Sequence, residues 1–370
     1  MSNNNKIKVL LISVRADFGG GPEHIYRLIQ VLKEEIDFYI ACPDDYPYWN
    51  RYENLLGNKR MIVIPHRKFK VNAVSSLILF LHKHKINIIH SHGKGAGIYS
   101  RTLRLPTSVP CIHTFHGIHI GEYNGLQKFV YMLLERIMSI FTKSFITVSR
   151  SEFELVKKLK IAPNKKLNII NNGVIIPAEV VEEKILDGEK LRLITFSRFN
   201  YQKNTVLLIE ILKELKRQNQ IERFETIILG SGQNEKVFKL KLEQNGLSSF
   251  VKLLGSVDNP AEYLKEVFCY ISTSRWEGLP LGILEAMAHG IPVIASNVTG
   301  NTDVVRQDVN GFLYNLDMPE RAADYLIKLS ADKELWESFS KASRKIVEKE
   351  FSIERMAEET KEVYFRIFNQ

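Results

Sequence analysis

The sequence predicts an α/β protein built from two Rossmann-like domains. Short β-branched runs alternate with longer amphipathic stretches in each half of the 370 residues, which is typical of βαβ units around parallel sheets. Residues 176–190 contain Pro177 and several acids but no apolar period, so they predict an interdomain linker. Ligands of such sheets bind at the carboxyl ends of the strands.

Eleven runs are predicted as buried strands. In the first half they are residues 8–14, 38–41, 87–90, 111–115, 145–148 and 167–170; in the second half they are 191–196, 226–229, 251–254, 268–272 and 292–295. Residues 319–368 are mostly amphipathic helix with a break near Phe351 and Ser352. We therefore expect domains at 1–175 and 191–350, followed by a terminal helix at 351–370 that can pack back on the first domain.

The excess of positive over negative charge lies entirely in the N-terminal half. Residues 1–180 hold 25 basic and 13 acidic side chains, within a net charge of +9 for the whole chain. Nucleic acid, anionic lipid, phosphorylated substrates or plain solvation would each suit this excess. The absence of a recognised binding module and of a basic stripe interleaved with aromatics argues against nucleic acid.

Composition and hydropathy predict a cytoplasmic protein without a membrane span. The apolar run at residues 8–14 ends at Arg15 and Asp17, as a strand does and a signal peptide does not. The apolar stretch 129–141 is interrupted by Glu135 and Arg136, and a span needs about 20 apolar residues. The three cysteines are far apart in apolar surroundings, so we expect neither disulfides nor a zinc site.

The run from residue 272 to 290, STSRWEGLPLGILEAMAHG, predicts a strand, a loop and a helix. The first helical turn falls near residue 280, so the amides of Gly282 and Ile283 face outward at the positive end of the helix and suit a diphosphate. Glu285, about one turn into the helix, could reach ribose hydroxyls, and Glu277 faces the same side. Alternatively, these acids are only a helix cap and a solvated surface group.

Two cations follow the first strand of the second half. Arg198 and Lys203, in the segment TFSRFNYQKN of residues 195–204, can converge at the carboxyl end of that strand. An arginine fork and a lysine point charge would stabilise the charge that develops on a leaving nucleoside diphosphate.

Glycine-rich turns follow other strands. Gly20 and Gly21 open a helix after the first strand, and Gly230 ends a strand of the second half. Such turns offer small residues and free amides to phosphates or sugars, although a plain turn is an alternative. None is the dinucleotide fingerprint Gly-x-Gly-x-x-Gly, so a dehydrogenase is disfavoured. Asp44 and Asp45 lie in a turn between prolines, and we predict no metal there.

These motifs resemble the retaining glycosyltransferase family 4, of the GT-B fold. Glu277 through Ala288 match its E-G-x-P-x-x-x-x-E-A-M-A frame without a gap. Arg198 and Lys203 match its G-R-x-x-x-x-K-[ND] motif, except that Ser197 stands where the family usually has glycine, which makes a tight turn there less certain. The resemblance covers nearly the whole chain and implies two Rossmann-like domains facing across a cleft, with residues 1–175 on the acceptor side and 191–350 binding the donor.

The resemblance also implies roles for individual residues. His116, in the motif Thr-x-His-Gly with His113 and His119 as neighbours, would border the transferred sugar, and Glu277 would orient donor hydroxyls. The main chain near Val257 would contact the base. The expected catalytic residues are therefore His116 and Glu277, and the expected donor-binding residues are Gly20, Gly21, Arg198, Lys203, Gly230, Val257, Gly282, Ile283 and Glu285. No metal and no cofactor are expected, since the nucleotide sugar is a co-substrate.

The function that follows is transfer of a sugar, with retained configuration, from a nucleotide sugar to a glycan or polyprenyl-linked saccharide in surface-polysaccharide synthesis. A UDP-sugar is favoured and a GDP-sugar remains open. The alternatives are a sugar-nucleotide 2-epimerase of the same fold and a non-enzymatic nucleic-acid-binding protein. We also expect a membrane-facing basic surface at the inner face of the cytoplasmic membrane, made of residues 65–70 with Arg101, Arg104, Lys128, Arg136 and Lys143.

Overall fold

The computed structural model describes residues 6–118, 124–178 and 190–370. It divides into two compact units, the first formed by Met1–Gly173 with Ile353–Gln370 and the second by Val174–Ser352. Most of the predicted linker, and His119, lie outside the described residues.

The first unit is a parallel sheet with helices on both faces. Its strands are β1 (Lys8–Ser13), β2 (Asp37–Cys42), β3 (Met61–Val63), β4 (Ile88–His92), β5 (Cys111–Thr114), β6 (Ser144–Thr147) and β7 (Leu167–Ile169). Its helices are α1 (Gly20–Leu32), α2 (Tyr48–Leu56), α3 (Val71–His84), α4 (Lys94–Thr107), α5 (Gly125–Ser139), α6 (Arg150–Lys158) and α12 (Ile353–Phe368). The sheet order is β3-β2-β1-β4-β5-β6-β7.

The alternation of side chains along β1 divides the core into two layers. Val9 and Leu11 belong to a buried cluster that also holds residues of α1 and α12, whereas Leu10 and Ile12 belong to a cluster with α3 and α4. Successive strand residues point to opposite faces, so a strand covered on both sides is apolar throughout.

The described part of the second unit has six parallel strands. They are β8 (Leu191–Phe196), β9 (Phe224–Leu229), β10 (Val251–Gly255), β11 (Cys269–Ser272), β12 (Val293–Ser296) and β13 (Gly311–Tyr314), in the order β10-β9-β8-β11-β12-β13. Its helices are α7 (Val206–Arg217), α8 (Glu235–Gln244), α9 (Leu281–Ala288), α10 (Pro319–Ala331) and α11 (Lys333–Glu350). The two-domain α/β prediction is confirmed, but the sequence analysis missed β3 and β13.

One residue of the predicted basic surface is placed wrongly by the sequence analysis. Arg101 is 1% exposed, and its Nη1 lies 3.0 Å from Oε2 of the buried Glu135. A guanidinium held in this way cannot face a membrane. Arg136 and Lys143 are exposed, while Arg104 and Lys128 are half-buried.

None of the helices that the structure describes combines the length and apolarity that crossing a bilayer requires. The three cysteines are free and buried.

Candidate functional site

The carboxyl edge of the second sheet gathers most of the predicted donor-binding residues. β8 and β11 are parallel neighbours in the sheet, and from them the chain adds strands towards opposite edges: β9 and β10 on one side, β12 and β13 on the other. In open α/β sheets, ligands bind at the carboxyl ends of two such strands, because the loops that follow them lead to opposite sides and leave a crevice. The loop after β8 contains Arg198 and Lys203, and the loop after β11 contains Glu277 and leads into α9.

Lys203 and Glu277 form an ion pair at this edge. Lys203 Nζ lies 2.7 Å from Glu277 Oε1, and the side chains are 20% and 9% exposed. Ser274 Oγ donates to the same carboxylate oxygen at 2.6 Å, and Gln202 Nε2 lies 3.5 Å from Oε2. The structure therefore brings Lys203, predicted to bind the diphosphate, into contact with Glu277, predicted to orient the sugar hydroxyls.

The start of α9 offers backbone donors beside this pair. Pro280 has extended backbone before the helix, and the Leu284 N–H donates to the Pro280 carbonyl at 3.1 Å. The amides of Leu281, Gly282 and Ile283 precede that bond and have no acceptor within the helix. They form the positive end of α9, where the sequence analysis predicts an anion site.

The hydroxyl of Tyr270 indicates that the two predicted carboxylates share one region. Burial raises the pKa of Tyr270 well above its usual value, and the charges of Glu277 and Glu285 raise it further. The Phe196 N–H donates to this hydroxyl at 3.1 Å. Glu277 and Glu285 thus act electrostatically on the same buried group near the end of β8.

Two of the predicted glycines are explained by close packing within the protein. A Cβ on Gly282 would lie 2.5 Å from Tyr270 Oη, and one on Gly230 would lie 2.3 Å from the Ser197 carbonyl oxygen. Gly230 also has a φ of +136°. Glycine is therefore needed at both positions without invoking a ligand.

Ser197 is compatible with the turn that the family usually builds with glycine. It is 4% exposed, its N–H donates to the Leu229 carbonyl at 2.8 Å, and it is not among the residues with positive φ. The left-handed residue of this loop is Asn204, with φ of +49°, a conformation that asparagine tolerates.

Arg198 and Val257 lie in loops at the same edge and are half-buried. Arg198 follows β8, and its carbonyl accepts from the Asn200 N–H at 2.8 Å. Val257 follows β10, next to Ser256, whose hydroxyl lies 2.9 Å from that of Ser231. The hydroxyl pair links the loops after β9 and β10.

At the carboxyl edge of the first sheet, three histidines meet. His92 Nδ1 lies 3.0 Å from His116 Nε2, and the ring of His24 lies 4.8 Å from that of His116. His24 Nδ1 is 3.0 Å from Asn172 Oδ1. The sequence analysis singled out His116 alone; His24, after the glycine-rich turn that begins α1, and His92, the last residue of β4 before Gly93, were missed.

These histidines are neutral at pH 7. Burial lowers the pKa of His24 to about 4 and holds the pKa values of His92 and His116 well below the usual range of a histidine. A neutral imidazole can both accept and donate a hydrogen bond, as recognition of a sugar hydroxyl requires.

The backbone of His116 is held in a special conformation. Its φ is +62°, in the left-handed region, and Gly117 follows with φ of +100°. The buried carboxylate of Glu152 accepts from the Gly117 N–H at 2.5 Å and from the Val148 N–H at 2.9 Å. A left-handed backbone at a residue other than glycine persists only when surrounding contacts hold it, and such residues concentrate at functional sites.

Gly20 and Gly21 begin α1 at the same edge of the first sheet. The Glu23 N–H donates to the Gly19 carbonyl at 3.2 Å and makes the first hydrogen bond of the helix. The amides of Gly20 and Gly21 come before it and therefore have no acceptor within the helix. A Cβ on Gly21 would meet nothing within 4 Å. Open space next to free amides is what a bound group would need.

Among the described residues, His24, His92 and His116 come close enough to hold a metal ion, with their ligand atoms within 4.8 Å of one another. Asp45 instead pairs with His66, Oδ2 to Nδ1 at 2.5 Å, while Asp44 and Asp45 precede a turn.

Two family models match consecutive parts of the chain. The model described as "Glycosyltransferase Family 4" matches residues 18–176, and the model described as "Glycosyl transferases group 1" matches residues 178–346. Together they account for well over half of the sequence. The chain belongs to the group 1, family 4 glycosyltransferases.

Curated relatives of this glycosyltransferase include enzymes of bacterial surface polysaccharides. It is 28% identical to the UDP-Gal:alpha-D-GlcNAc-diphosphoundecaprenol alpha-1,3-galactosyltransferase of Escherichia coli, over 98% of each chain. It is 24% identical to the capsular polysaccharide biosynthesis glycosyltransferase CapH of Staphylococcus aureus, over 97% of this chain and 98% of that one.

Solved structures identify the fold of this glycosyltransferase as GT-B. The crystal structure of Anabaena HepE in complex with UDP and glucose has a TM-score of 0.84 at 16% identity, covering 97% of this chain and 100% of that one. Sucrose-phosphate synthase from Thermosynechococcus elongatus has a TM-score of 0.84 at 18% identity, covering 98% and 100%.

Proposed function

We propose that this glycosyltransferase moves a sugar, with retained anomeric configuration, from a UDP-sugar to a polyprenyl-diphosphate-linked saccharide during surface-polysaccharide synthesis. The name of the Escherichia coli relative contains a UDP-galactose donor and a diphosphoundecaprenol-linked acceptor, and CapH acts in capsular polysaccharide biosynthesis. The enzyme then works in the cytoplasm, peripherally at the inner face of the membrane.

The ion pair of Lys203 and Glu277 beside the start of α9 is the observation that carries the donor assignment. In our proposal, Lys203, Arg198 and the amides of Gly282 and Ile283 bind the diphosphate, whose charge grows as the glycosidic bond breaks. Glu285 binds the ribose, and the main chain at Val257 and the loop at Gly230 border the base.

Glu277 is proposed to orient donor hydroxyls and not to attack the sugar. Its Oε1 already accepts from Lys203 Nζ and Ser274 Oγ. A carboxylate nucleophile needs an oxygen directed at the anomeric carbon, and hydrolytic carboxylate pairs flank one glycosidic bond. Retention then follows from attack on the face that the diphosphate leaves.

His116 is proposed to contact the transferred sugar, and Gly20 and Gly21 to provide amides and space close to a substrate. Neutral His116 can donate to or accept from a sugar hydroxyl without adding charge.

We propose that turnover needs no metal. Arg198, Lys203 and the positive end of α9 provide the charge that a divalent ion would otherwise supply at the leaving group.

Product analysis tests this function. The purified protein is incubated with UDP- or GDP-sugars and a polyprenyl-diphosphate-linked saccharide, and mass spectrometry and NMR identify the product and its anomeric configuration. We expect one UDP-sugar to yield an extended acceptor with retained configuration. An inverted linkage would contradict retention, and an epimerised sugar without transfer would favour the 2-epimerase.

A further inference from the structure

Helix α5 buries polar side chains and exposes apolar ones. Its buried positions are Tyr131, Glu135 and Ser139, which lie one above another at intervals of four residues. The opposite side is apolar and at least 45% exposed; it consists of Leu126, Phe129, Val130, Leu133, Leu134 and Ile137, with Ile140 just beyond the helix. A helix on the surface of a water-soluble domain normally shows the reverse arrangement.

The orientation of α5 is fixed by buried polar contacts. Glu135 Oε2 lies 3.0 Å from Arg101 Nη1, and Arg101 Nε donates to Thr142 Oγ1 at 3.0 Å. Lys94 Nζ lies 4.3 Å from the centre of the Tyr131 ring. Turning the apolar side inward would strip a buried charge of its partner, which is strongly unfavourable. The apolar side is therefore held outward.

The rim of this apolar side is basic. Arg136 and Lys143 are exposed, and the one acid within α5, Glu135, is buried. Arg136 donates to the carbonyls of Leu159 and Lys160, which fixes the guanidinium at the edge of the helix. A cleft of about 510 Å³ opens beside it, and its lining includes the cations Arg136, Lys157 and Lys160.

We propose that α5 lies flat in the interfacial layer of an anionic membrane, with its six exposed apolar side chains and Ile140 among the acyl chains and its basic rim at the lipid phosphates. This rests on the proposed function, in which the acceptor is bound to a lipid. The fifteen residues of α5 extend about 22 Å, too short to cross the ~30 Å hydrocarbon layer, so the helix lies along it. Apolar area combined with basic residues is what holds interfacial helices to anionic lipid.

A second copy of the chain fits this surface less well than lipid does. A two-fold contact would repeat the same patch on both partners and bring Arg136 and Lys143 against their own equivalents. Because α5 exposes no acid, these charges would face no counterpart from the partner helix. Lipid phosphates provide that counterpart.

The test compares vesicle binding of the full chain and two double variants. Phe129→Ser/Leu134→Ser removes two exposed side chains from α5, and Val237→Ser/Leu240→Ser removes two similarly exposed ones from α8 as the matched control. Co-sedimentation uses phosphatidylcholine vesicles with and without 30% phosphatidylglycerol. We expect the parent and the control to bind anionic vesicles, and the α5 variant to bind at least tenfold more weakly with an unchanged melting temperature.

Equal binding by the α5 variant and the parent, or no binding by the parent, would overturn the proposal. So would a concentration-dependent dimer, detected by sedimentation, that the α5 variant abolishes. Activity on a short-chain, water-soluble acceptor analogue separates this proposal from the proposed function. We expect the α5 variant to retain that activity. If the parent protein transfers no sugar but its vesicle binding still depends on α5, the proposed function is refuted and the membrane proposal is not.

Discussion

Lys203 and Glu277, 74 residues apart in sequence, are joined by an ion pair of 2.7 Å at the carboxyl edge of the second sheet. The pair is only partly exposed, so each charge depends on the other for stabilisation. In the proposed role of Lys203 at the diphosphate, this pairing fixes the position of the lysine before the donor binds, which reduces the ordering cost of binding.

Removal of the lysine charge should weaken donor binding. We expect Lys203→Ala to reduce UDP affinity about 10- to 100-fold, since hydrogen bonds to charged groups contribute ~1.5–3 kcal/mol. Isothermal titration calorimetry measures this. Lys213→Ala, which removes an exposed lysine on α7, is the control; equal UDP affinity for Lys203→Ala and the control would reject the diphosphate assignment.

Glu285 should act on the ribose and not on the phosphates. We expect Glu285→Ala to weaken UDP binding about tenfold and to leave inorganic pyrophosphate binding unchanged, because only UDP carries ribose hydroxyls. The exposed Glu243 of α8 supplies the control variant Glu243→Ala. A parallel loss for both ligands would place Glu285 at the phosphates instead.

Two glycines should respond differently to a methyl group. Gly282→Ala would bring a Cβ to 2.5 Å from Tyr270 Oη, so we expect the free energy of unfolding to fall by ~1–3 kcal/mol. Gly21→Ala meets open space, so we expect unchanged stability but a lower kcat/KM if substrate occupies that space. Unfolding by urea and steady-state kinetics measure both, with Gly125→Ala as the control for an open helix start. Unchanged kinetics of Gly21→Ala would remove Gly21 from the site.

Chelators should leave turnover unchanged. The neutral cluster of His24, His92 and His116 offers a place where a metal could bind, so this prediction has a specific way to fail. We expect kcat within about twofold of the untreated enzyme in EDTA, on the electrostatic argument above. Loss of activity that zinc restores, and that His92→Gln abolishes, would overturn the prediction.

Acid should destabilise the first unit through its buried histidines. Burial lowers the pKa of His90 to about 3, against about 6.5 in an unfolded chain, so the unfolded state binds more protons below pH 6.5. Stability is therefore lost as the pH falls from 6.5 towards 3, by about 2 kcal/mol at pH 5 for this residue. We expect His90→Gln to lose less stability than the parent between pH 7 and pH 5 in urea unfolding, whereas His82→Gln, at an exposed position, should match the parent. An unchanged pH dependence in His90→Gln would contradict this account.

The sequence pattern predicted the inner strands of both sheets and the edge strands β7 and β10, but it missed the edge strands β3 and β13. β3 has three residues, Met61–Val63, and although all three are apolar, so short a run does not by itself distinguish a strand from other structure. β13 begins at Gly311, a residue typical of turns, and was missed for that reason.

Side-chain partners were the least predictable feature of the site. Arg101 resembled other surface cations, because nothing in the local sequence indicates that Glu135 is buried beside it. His24 and His92 are far from His116 in sequence, and only the order of β1, β4 and β5 in the sheet brings them together. Lys203 and Glu277 were predicted to face one site because each follows a strand end, a rule that gives location but not contact.

Helix α12 has a consequence for synthesis of the protein on the ribosome. Met356, Val363 and Tyr364 complete the same core cluster as β1 and α1, yet they are translated after the entire second unit. At ~5–20 residues per second, roughly 10–40 s separate the completion of Gly173 from that of Ile353. During this interval the nascent chain exposes the apolar surface that α12 later covers, so the second unit can finish folding before the first.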